Sequence, residues 1–322
     1  MGRLARPRTI VIGELNVDIV ATGVNSIPKI GGEILVKDCA LTLGSASAIF
    51  ASGIAKLGHQ VTFVSQVGND SFGDYCVDFL KRSGVSTKGV IRNEKVKTGV
   101  TISLSNAHDR ALITYPGAIE RFNARQLDMS LIRGHQHLHL TSYFLQRALK
   151  NSFSEILQQA KKDGLVTSFD PNSDPTDSWS RSIKDVFRFC DVLFVNETEA
   201  LKLTRTQRVE LALEKLSRLV PCAVIKLGAR GAIASRNNKV SRASGFKVKA
   251  VDTTGAGDSF DAGFMSAYLS SASISQCLEA GNACGALSAL RSGGTEGQPT
   301  QNQLVQFLRD KTRSKGNRKR SD

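Results

Sequence analysis

Short apolar runs separated by helical patterns dominate the chain. Four runs of mostly apolar residues, bounded by polar residues or glycine, predict buried strands. They lie at residues 9–11, 165–169, 192–195 and 223–227. Residues 46–57 are small and apolar, which predicts a buried helix. Asp70 precedes apolar residues at helical spacing up to Gly84, so we expect an amphipathic helix with an aspartate cap there.

Other segments alternate apolar and polar residues. Residues 31–43 and 96–115 show no helical period and predict exposed β structure. A further strand is expected around residues 246–251, before a glycine-rich turn. Strands that alternate with helices favour a parallel sheet covered by helices on both faces. The pattern therefore predicts an α/β fold with no internal repeat.

Polar and glycine-rich segments follow the predicted buried strands. These segments are residues 13–18, 170–172, 196–199 and 228–231. In open α/β sheets, ligands bind in the crevice outside the carboxyl ends of the strands. We therefore expect the active site at this edge of the sheet.

The strongest indication of chemistry lies at residues 252–263, which read DTTGAGDSFDAG. Gly255, Ala256 and Gly257 allow a tight turn whose N–H groups point to one position. At a helix N-terminus such donors form an anion site. The Asp258 carboxylate in the same turn could accept the proton of an attacking hydroxyl, as phosphoryl transfer requires. A plain helix cap is the structural alternative for this aspartate.

This segment resembles the C-terminal signature of ribokinase-like (PfkB) carbohydrate kinases. The resemblance implies that Asp258 is the catalytic base and that the amides of the 255–257 turn form an anion hole. The resemblance covers nearly the whole chain, because four other motifs precede this segment in the order that the family has. The implied fold is a ribokinase-like three-layer α/β sandwich with a mostly parallel central sheet. A small β lid is expected from about residues 14–42 and 91–118.

Two further motifs imply a nucleotide side. Asn196 and Glu199 match the family's N-x-x-E motif, which positions magnesium and the phosphates, with Glu199 acting on Mg²⁺ through water. Lys226, Gly228 and Gly231 match the glycine turn that borders the nucleotide. The implied cofactors are ATP and Mg²⁺.

A monovalent cation is also implied by the resemblance. Asp252 and Thr254 match positions that supply carbonyl ligands to such a cation in several relatives, with the loop 291–294 opposite. We therefore expect K⁺ as an additional cofactor.

The acceptor side both matches the family and departs from it. Asn16 and Asp18 match the N-x-D pair whose aspartate holds substrate hydroxyls. Gly44 and Ser45 begin the segment that corresponds to the family's G-G-x-x-x-N string. Here a serine replaces the second glycine and Ile49 replaces the asparagine, which removes a hydrogen-bonding group. The implied reaction is ATP-dependent phosphorylation of a hydroxyl on a small polyol, first a sugar and alternatively a nucleoside.

Composition fits an ordinary soluble protein, with 322 residues, 41% hydrophobic and 22% charged. No apolar stretch approaches the ~18 residues of a membrane span, so no membrane association is expected. The apolar run near the N-terminus stops at Glu14, so no signal peptide is expected. Six cysteines without a C-x-x-C pair indicate reduced thiols and a cytoplasmic protein.

The net charge of +14 is partly local. Residues 311–322, after a kinase domain at 1–310, hold six Lys or Arg and one Asp. This segment has no aromatic residue to stack on bases, so we expect a disordered basic tail and no nucleic-acid binding. The remaining positive charge suits an anionic nucleotide.

Some alternatives stay open. His135, His137 and His139 share one face of a predicted strand, which a half-exposed strand explains and a metal site would also explain. An oxidoreductase is disfavoured because no G-x-G-x-x-G follows the first strand. The altered 44–49 string leaves open a non-catalytic binding protein on a kinase scaffold. The expected partner is a small sugar or nucleoside, and the lid strands of relatives imply a homodimer.

Overall fold

Strands and helices alternate through most of the chain. The computed structural model describes residues 6–106 and 110–318. The strands are β1 (Arg8–Ile12), β2 (Asn16–Thr22), β3 (Asp38–Leu43), β4 (Gln60–Gly68), β5 (Val85–Asn93), β6 (Gly99–Ser105), β7 (Arg110–Tyr115), β8 (His137–Thr141), β9 (Val166–Asp170), β10 (Val192–Asn196), β11 (Cys222–Lys226), β12 (Ala232–Arg236) and β13 (Lys239–Ala243). The helices are α1 (Ala46–Lys56), α2 (Ser71–Arg82), α3 (Ala118–Arg121), α4 (Phe153–Lys162), α5 (Ile183–Phe187), α6 (Glu197–Thr204), α7 (Val209–Ser217), α8 (Ala256–Leu269), α9 (Ile274–Ser288) and α10 (Gln301–Arg318).

Nine strands form the main sheet, in the order β13-β12-β11-β10-β9-β8-β1-β4-β5. The strands from β11 across to β5 run parallel to their neighbours, and β12 and β13 add an antiparallel edge. The chain order reverses at β1, which pairs with β4 on one side and β8 on the other. The carboxyl ends of the strands beside such a reversal form the usual ligand crevice of an open α/β sheet.

Helices cover both faces of the main sheet, so the predicted three-layer α/β sandwich is confirmed. One core contains side chains of α4, α5, α6 and α7, and the other contains side chains of α1, α2, α8 and α9. Successive strand residues point to opposite faces, so Leu193 lies in the first core and Phe194 in the second. Burying one such side chain stabilises the fold by about 1.5–3 kcal/mol relative to exposure. The layers hold the strand ends in a fixed register.

A second sheet forms the lid, in the order β3-β2-β6-β7. β2 and β6 are parallel, and the two outer pairs are antiparallel. The predicted exposed β segments are thus largely confirmed, although residues 31–37 lie outside the strands and the later segment divides into β6 and β7. Val20, Thr101 and Leu112 point from the lid into a cavity above the main sheet.

The prediction that the histidine strand is half-exposed is wrong. β8 lies between β1 and β9 in the middle of the main sheet, and His137 and His139 are fully buried. The Ser168 hydroxyl lies 2.7 Å from His137 Nε2 and 2.6 Å from His139 Nδ1. The His139 ring also stacks on Phe50, with centroids 3.7 Å apart. Hydrogen bonding and stacking inside the core therefore account for these two histidines.

Two other local predictions need correction. Residues 246–251 are not a strand, since β13 ends at Ala243 and the following residues join neither sheet. Phe246 instead packs edge-on against Phe307 of α10. α10 then continues to Arg318, so the basic segment expected to be disordered is helical through that residue. Its Lys, Arg and Gln residues are good helix formers that extend a helix already anchored by Phe307; residues 319–322 lie outside the described ones.

Within the described ranges, no helix combines the length and the apolarity needed to cross a bilayer.

The buried His137 gives stability a defined pH dependence. Burial lowers the pKa of His137 to about 3, against about 6.5 in an unfolded chain. Between these pH values only the unfolded chain binds the proton. The stability that neutral His137 contributes is therefore fully present above pH ~6.5 and is lost as the pH falls below it. The free energy of unfolding of the unmodified protein should fall between pH 7 and pH 5. In His137→Gln this decrease should be about 2 kcal/mol smaller. Urea unfolding at both pH values tests this, and equal losses would contradict it.

Candidate active site

A cavity of about 900 Å³ lies between the lid and the carboxyl ends of the main-sheet strands. Its lining combines residues from the lid, the first turn of α8 and the loops after β1, β8 and β9. They include Glu14, Asn16, Asp18, Ser45, Ile49, Ser142, Asn172, Thr254, Gly255 and Asp258. Five of the predicted acceptor and catalytic residues therefore line one cavity at the expected edge of the sheet, whereas Gly44, Ala256 and Gly257 are not part of its lining.

The glycine-rich turn opens α8 towards this cavity. The helix begins at Ala256, and Gly255 is its N-cap with φ +66°. A Cβ atom on Gly255 would lie 2.9 Å from the Cα and carbonyl oxygen of Gly294, so a side chain does not fit. The first N–H groups of a helix have no partner within the helix, and the dipole favours negative charge there. The turn has the features of an anion site.

Asp258 lies in the first turn of α8 at the floor of the cavity. Because Gly255 occupies the N-cap and no side chain caps the helix, capping does not explain this aspartate. Burial raises the pKa of Asp258 to about 7, while the nearby Lys226 acts in the opposite direction. A carboxylate with a pKa near neutral can accept a proton efficiently at neutral pH.

Lys226 lies beneath the turn. Its Nζ is 2.6 Å from Asp170 Oδ2 and 3.1 Å from Asp261 Oδ2. Its side chain is 12% exposed, and both carboxylates are 1% exposed. One carboxylate oxygen from each of Asp170, Asp258 and Asp261 lies within 4.8 Å of the others. The ammonium is the counter-ion of this buried group. The sequence predicts that Lys226 borders the nucleotide, whereas its Nζ lies between Asp170 and Asp261.

Asn16 and Asp18 form the predicted pair on β2. The Asn16 side-chain amide donates to Asp18 Oδ1 at 3.0 Å and fixes that carboxylate beside the cavity. A Cβ atom on Gly44 would lie 2.1 Å from Asp18 Oδ1 and 2.5 Å from Asn16 Nδ2. Glycine at position 44 therefore lets the start of the 44–49 segment approach the pair closely.

Ser45 and Ile49 are the positions at which the chain departs from the G-G-x-x-x-N string, and each has a structural role of its own. Ser45 has φ +74°, and its hydroxyl caps α1 by accepting from the Ala48 N–H at 3.1 Å. The same hydroxyl donates to the carbonyl oxygen of Glu14. Ile49 is 3% exposed and packs against Gly294 and Gly255, beside the anion turn. Ser45 thus serves as a helix cap, and Ile49 gives the cavity an apolar patch.

Glu14 is a site residue that the sequence reasoning did not assign. It is 3% exposed, yet its carboxylate lines the cavity. It accepts from the Ser47 N–H and hydroxyl and from the hydroxyls of Thr141 and Ser142, at 2.9 and 2.8 Å for the last two. Ser142 in turn accepts from the Asn172 amide at 2.9 Å. A charged residue directly after a buried strand was the available signal.

Asn196 and Glu199 form a reciprocal cap at the start of α6. Glu199 accepts from the Asn196 backbone N–H at 2.8 Å and from its side-chain amide at 2.7 Å, and Asn196 Oδ1 accepts from the Glu199 N–H at 2.9 Å. Burial, and secondly Asp170, raise the pKa of Glu199 to about 7, and Lys226 opposes them. Both carboxylate oxygens are already hydrogen-bonded in a buried position. The pair therefore fits contact with Mg²⁺ through water better than direct coordination.

The glycine turn lies beside this cap. Gly228 and Gly231 connect β11 to β12, and β11 pairs with β10, which ends at Asn196. Arg230 in the turn forms an ion pair with Glu197 at the start of α6. The two motifs predicted to face the nucleotide are thus adjacent.

Asp252 links two loops beside the anion turn. Its Oδ1 accepts from the Thr254 N–H and its Oδ2 from the Gly293 N–H, both at 2.9 Å. Val251 also donates to the carbonyl of Ala289 at 2.8 Å. The two segments expected to surround a monovalent cation therefore lie against each other.

Comparison with known proteins identifies the family. The sequence profile described as pfkB family carbohydrate kinase matches residues 7–301. The chain belongs to this family. An ATP-dependent ribose-1-phosphate kinase from Halopiger xanaduensis is 30% identical to this pfkB kinase, over 94% of the chain and 99% of the relative.

Solved pfkB-type structures have the same fold. Ribokinase from Arabidopsis thaliana, complexed with ribose and ATP, superposes with a TM-score of 0.82 at 25% identity, over 94% of this chain and 99% of that one. A protein described as ribokinase II from E. coli, solved with ATP and Mg²⁺, gives a TM-score of 0.84 at the same identity and coverage. The chain is an ATP-dependent sugar kinase, and nothing in these comparisons supports the non-catalytic alternative.

Ser45 allows a matched test of backbone strain in this pfkB kinase. Ser45→Ala should destabilise the fold by about 1–2 kcal/mol, because it removes the cap of α1 and, with a side chain still at positive φ, relieves no backbone strain. Ser45→Gly also removes the cap, but it relieves the strain. The glycine variant should therefore be the more stable of the two by about 1 kcal/mol in urea unfolding. An alanine variant of equal or greater stability would show that the serine backbone is not strained.

Proposed function

We propose that the cavity binds a sugar with adjacent hydroxyls and that Asp258 accepts the proton of the hydroxyl that attacks ATP. The observation that carries this proposal is that Asp258 and Asp18 line the same cavity, with an anion-binding turn beside Asp258. An ionised carboxylate accepts hydrogen bonds only, so Asp18 suits a pair of hydroxyl donors. The solved relative from Arabidopsis thaliana that holds ribose and ATP supports a sugar acceptor.

In the proposed reaction, the acceptor oxygen forms a bond to the γ-phosphorus of ATP while the bond to the leaving ADP oxygen breaks. The acceptor proton passes to Asp258. The amides at the start of α8, in the 255–257 turn, stabilise the charge on the transferring group because they are fixed before the reaction begins. Asp18, oriented by Asn16, holds neighbouring hydroxyls and so directs one hydroxyl towards Asp258.

The nucleotide side is proposed at the ends of β10 and β11. Asn196 and Glu199 would hold Mg²⁺ through water, and Gly228 and Gly231 would border the nucleotide. Bound Mg²⁺ would neutralise charge on the phosphates. The adjacency of these motifs, and the E. coli relative solved with ATP and Mg²⁺, support this placement. If Glu199→Gln alters only the acceptor affinity and not the magnesium requirement, the placement is wrong.

We also propose a K⁺ site near the carbonyl groups of Asp252 and Thr254. The contact between this loop and residues 289–293 supports it. Replacing K⁺ by a large organic cation should lower activity, and equal activity in both salts would exclude a K⁺ requirement.

A homodimer in the cytoplasm is the proposed state of the protein. Large apolar side chains are exposed on the lid, among them Ile102 and Ile113, which pair directly across β6 and β7. All six cysteines are unpaired, as expected of a reducing compartment. Sedimentation that finds only monomers would refute the homodimer. Cell fractionation that finds the protein outside the cytoplasm would refute the proposed location.

Asp258→Asn should lower kcat by about 10²–10⁴, since it removes the base and keeps the shape of the side chain. In the unmodified enzyme kcat/KM should rise with pH through about 7, where Asp258 loses its proton. The Asn variant should lack this rise. ADP release measured across pH tests both points, with Asp78→Asn on the exposed face of α2 as the control. Unchanged turnover in a folded Asn variant would refute the assignment.

Asp18→Ala should raise KM for the acceptor about tenfold or more, because hydroxyls left unpaired in a closed site cost ~1–3 kcal/mol each. KM for ATP should not change, since Asp18 lies on the lid side of the cavity. Asp38→Ala, at the exposed start of β3 in the same sheet, is the matched control. Steady-state kinetics with both substrates decide the matter, and an equal rise in both KM values would contradict the acceptor role.

A further inference from the structure

We propose that Lys226 is a positioning residue for Asp258: its buried ammonium, held by Asp170 and Asp261, stabilises the charged carboxylate beneath the anion turn and does not contact the nucleotide. This inference rests on the proposed role of Asp258 as the base. It changes the role that the sequence implied for Lys226, which was a contact on the nucleotide side.

The first support is the direction of the lysine side chain. Lys226 ends β11, so its backbone borders the glycine turn, but its Nζ lies inside the protein between Asp170 and Asp261. A Cβ atom placed on Gly257 would lie only 3.3 Å from Nζ. The ammonium is therefore directly below the turn that carries Asp258.

The second support is how the ion pairs connect the structure. Asp170 ends β9, two strands away from β11 in the sheet, and Asp261 lies on α8. Asp261 is three residues after Asp258, so both side chains lie on the same side of the helix. Through these two contacts Lys226 ties the first turn of α8 to the strand ends. Its loss would release the turn as well as remove a charge.

The third support is the balance of charge around Asp258. Four other acidic groups interact electrostatically with it: Asp170 at the end of β9, Glu14 after β1, Glu199 in α6 and Asp261 in α8. Among the largest influences on the pKa values of Asp258 and Asp261, Lys226 is the one that lowers them. Burial opposes a charged lysine, but Asp170 and Asp261 raise the pKa of Lys226, so the ammonium persists. Without it, every remaining acidic neighbour would favour a protonated Asp258.

Asp261 shows that one ammonium does not fully compensate the buried acidic groups. Its Oδ1 is buried and has no hydrogen-bond partner in the described part of the chain. Burial, which exceeds the opposing effect of Lys226, raises the pKa of Asp261 well above its usual range. The raised pKa favours the neutral form of Asp261, which avoids the cost of a buried charge without compensation.

The experiment measures the titration of Asp258 directly. The carboxyl carbons of ¹³C-labelled aspartates are followed by NMR against pH, and the resonance missing from Asp258→Asn assigns Asp258. In Lys226→Met its pKa should rise by at least about one unit. At pH 7 kcat should fall at least about fivefold and partly recover at higher pH, with KM for ATP unchanged. Lys202→Met, which breaks an exposed ion pair with Asp177, is the control and should change none of these values.

Lys226→Met leaves buried carboxylates without their counter-ion and can fail to fold. The double variant Lys226→Met with Asp261→Asn replaces the carboxyl of Asp261, whose raised pKa favours its neutral form, by a neutral amide, and the same shift of Asp258 is expected in it. An unchanged Asp258 pKa, or a raised KM for ATP with kcat intact, would overturn the proposal. So would the failure of the double variant to fold, because Lys226 would then be needed for the fold itself. The titration requires no substrate, so a failure of the proposed kinase chemistry would be seen separately, in the unmodified enzyme.

Discussion

One buried ammonium faces several acidic groups at the carboxyl ends of the main-sheet strands. Lys226 contacts Asp170 and Asp261 directly, and Asp258 lies within the same cluster. Charges are rarely buried without partners, because the loss of hydration costs several kcal/mol per ion. In the proposed arrangement, the position of the anion turn, the charge of Asp258 and the inward direction of Lys226 all depend on this one balance.

The fold provides this arrangement because parallel strands end at the same edge. β9, β10 and β11 place Asp170, Asn196 and Lys226 in adjacent positions, while α8 directs its N-terminus towards the same place. The lid closes over the site from the other side and brings Asp18 to the cavity. The proposed reaction places two different groups in one crevice: the acceptor hydroxyls at the lid and the negative charge of the phosphates at the helix.

Local features were the ones that the sequence could predict. The strands, the alternation of the layers and the turn at 255–257 are encoded in contiguous residues, and Gly255 and Asp258 lie where the motif indicates. Lys226 could not be placed in this way, since its partners are 56 and 35 residues distant and only the register of the sheet brings them together. His137 was misjudged for the same reason, because its environment depends on which strands flank β8. Ser45 took a glycine-like backbone conformation that its residue type does not suggest.

The most direct test of the account is a crystal structure with a sugar acceptor and a non-hydrolysable ATP analogue bound together. The account predicts that one acceptor hydroxyl lies within hydrogen-bond reach of the Asp258 carboxylate, about 2.6–3.2 Å. The γ-phosphate should face the amides of the 255–257 turn, and Lys226 should remain between Asp170 and Asp261. A hydroxyl directed away from Asp258, or a Lys226 side chain turned to the phosphates, would contradict it.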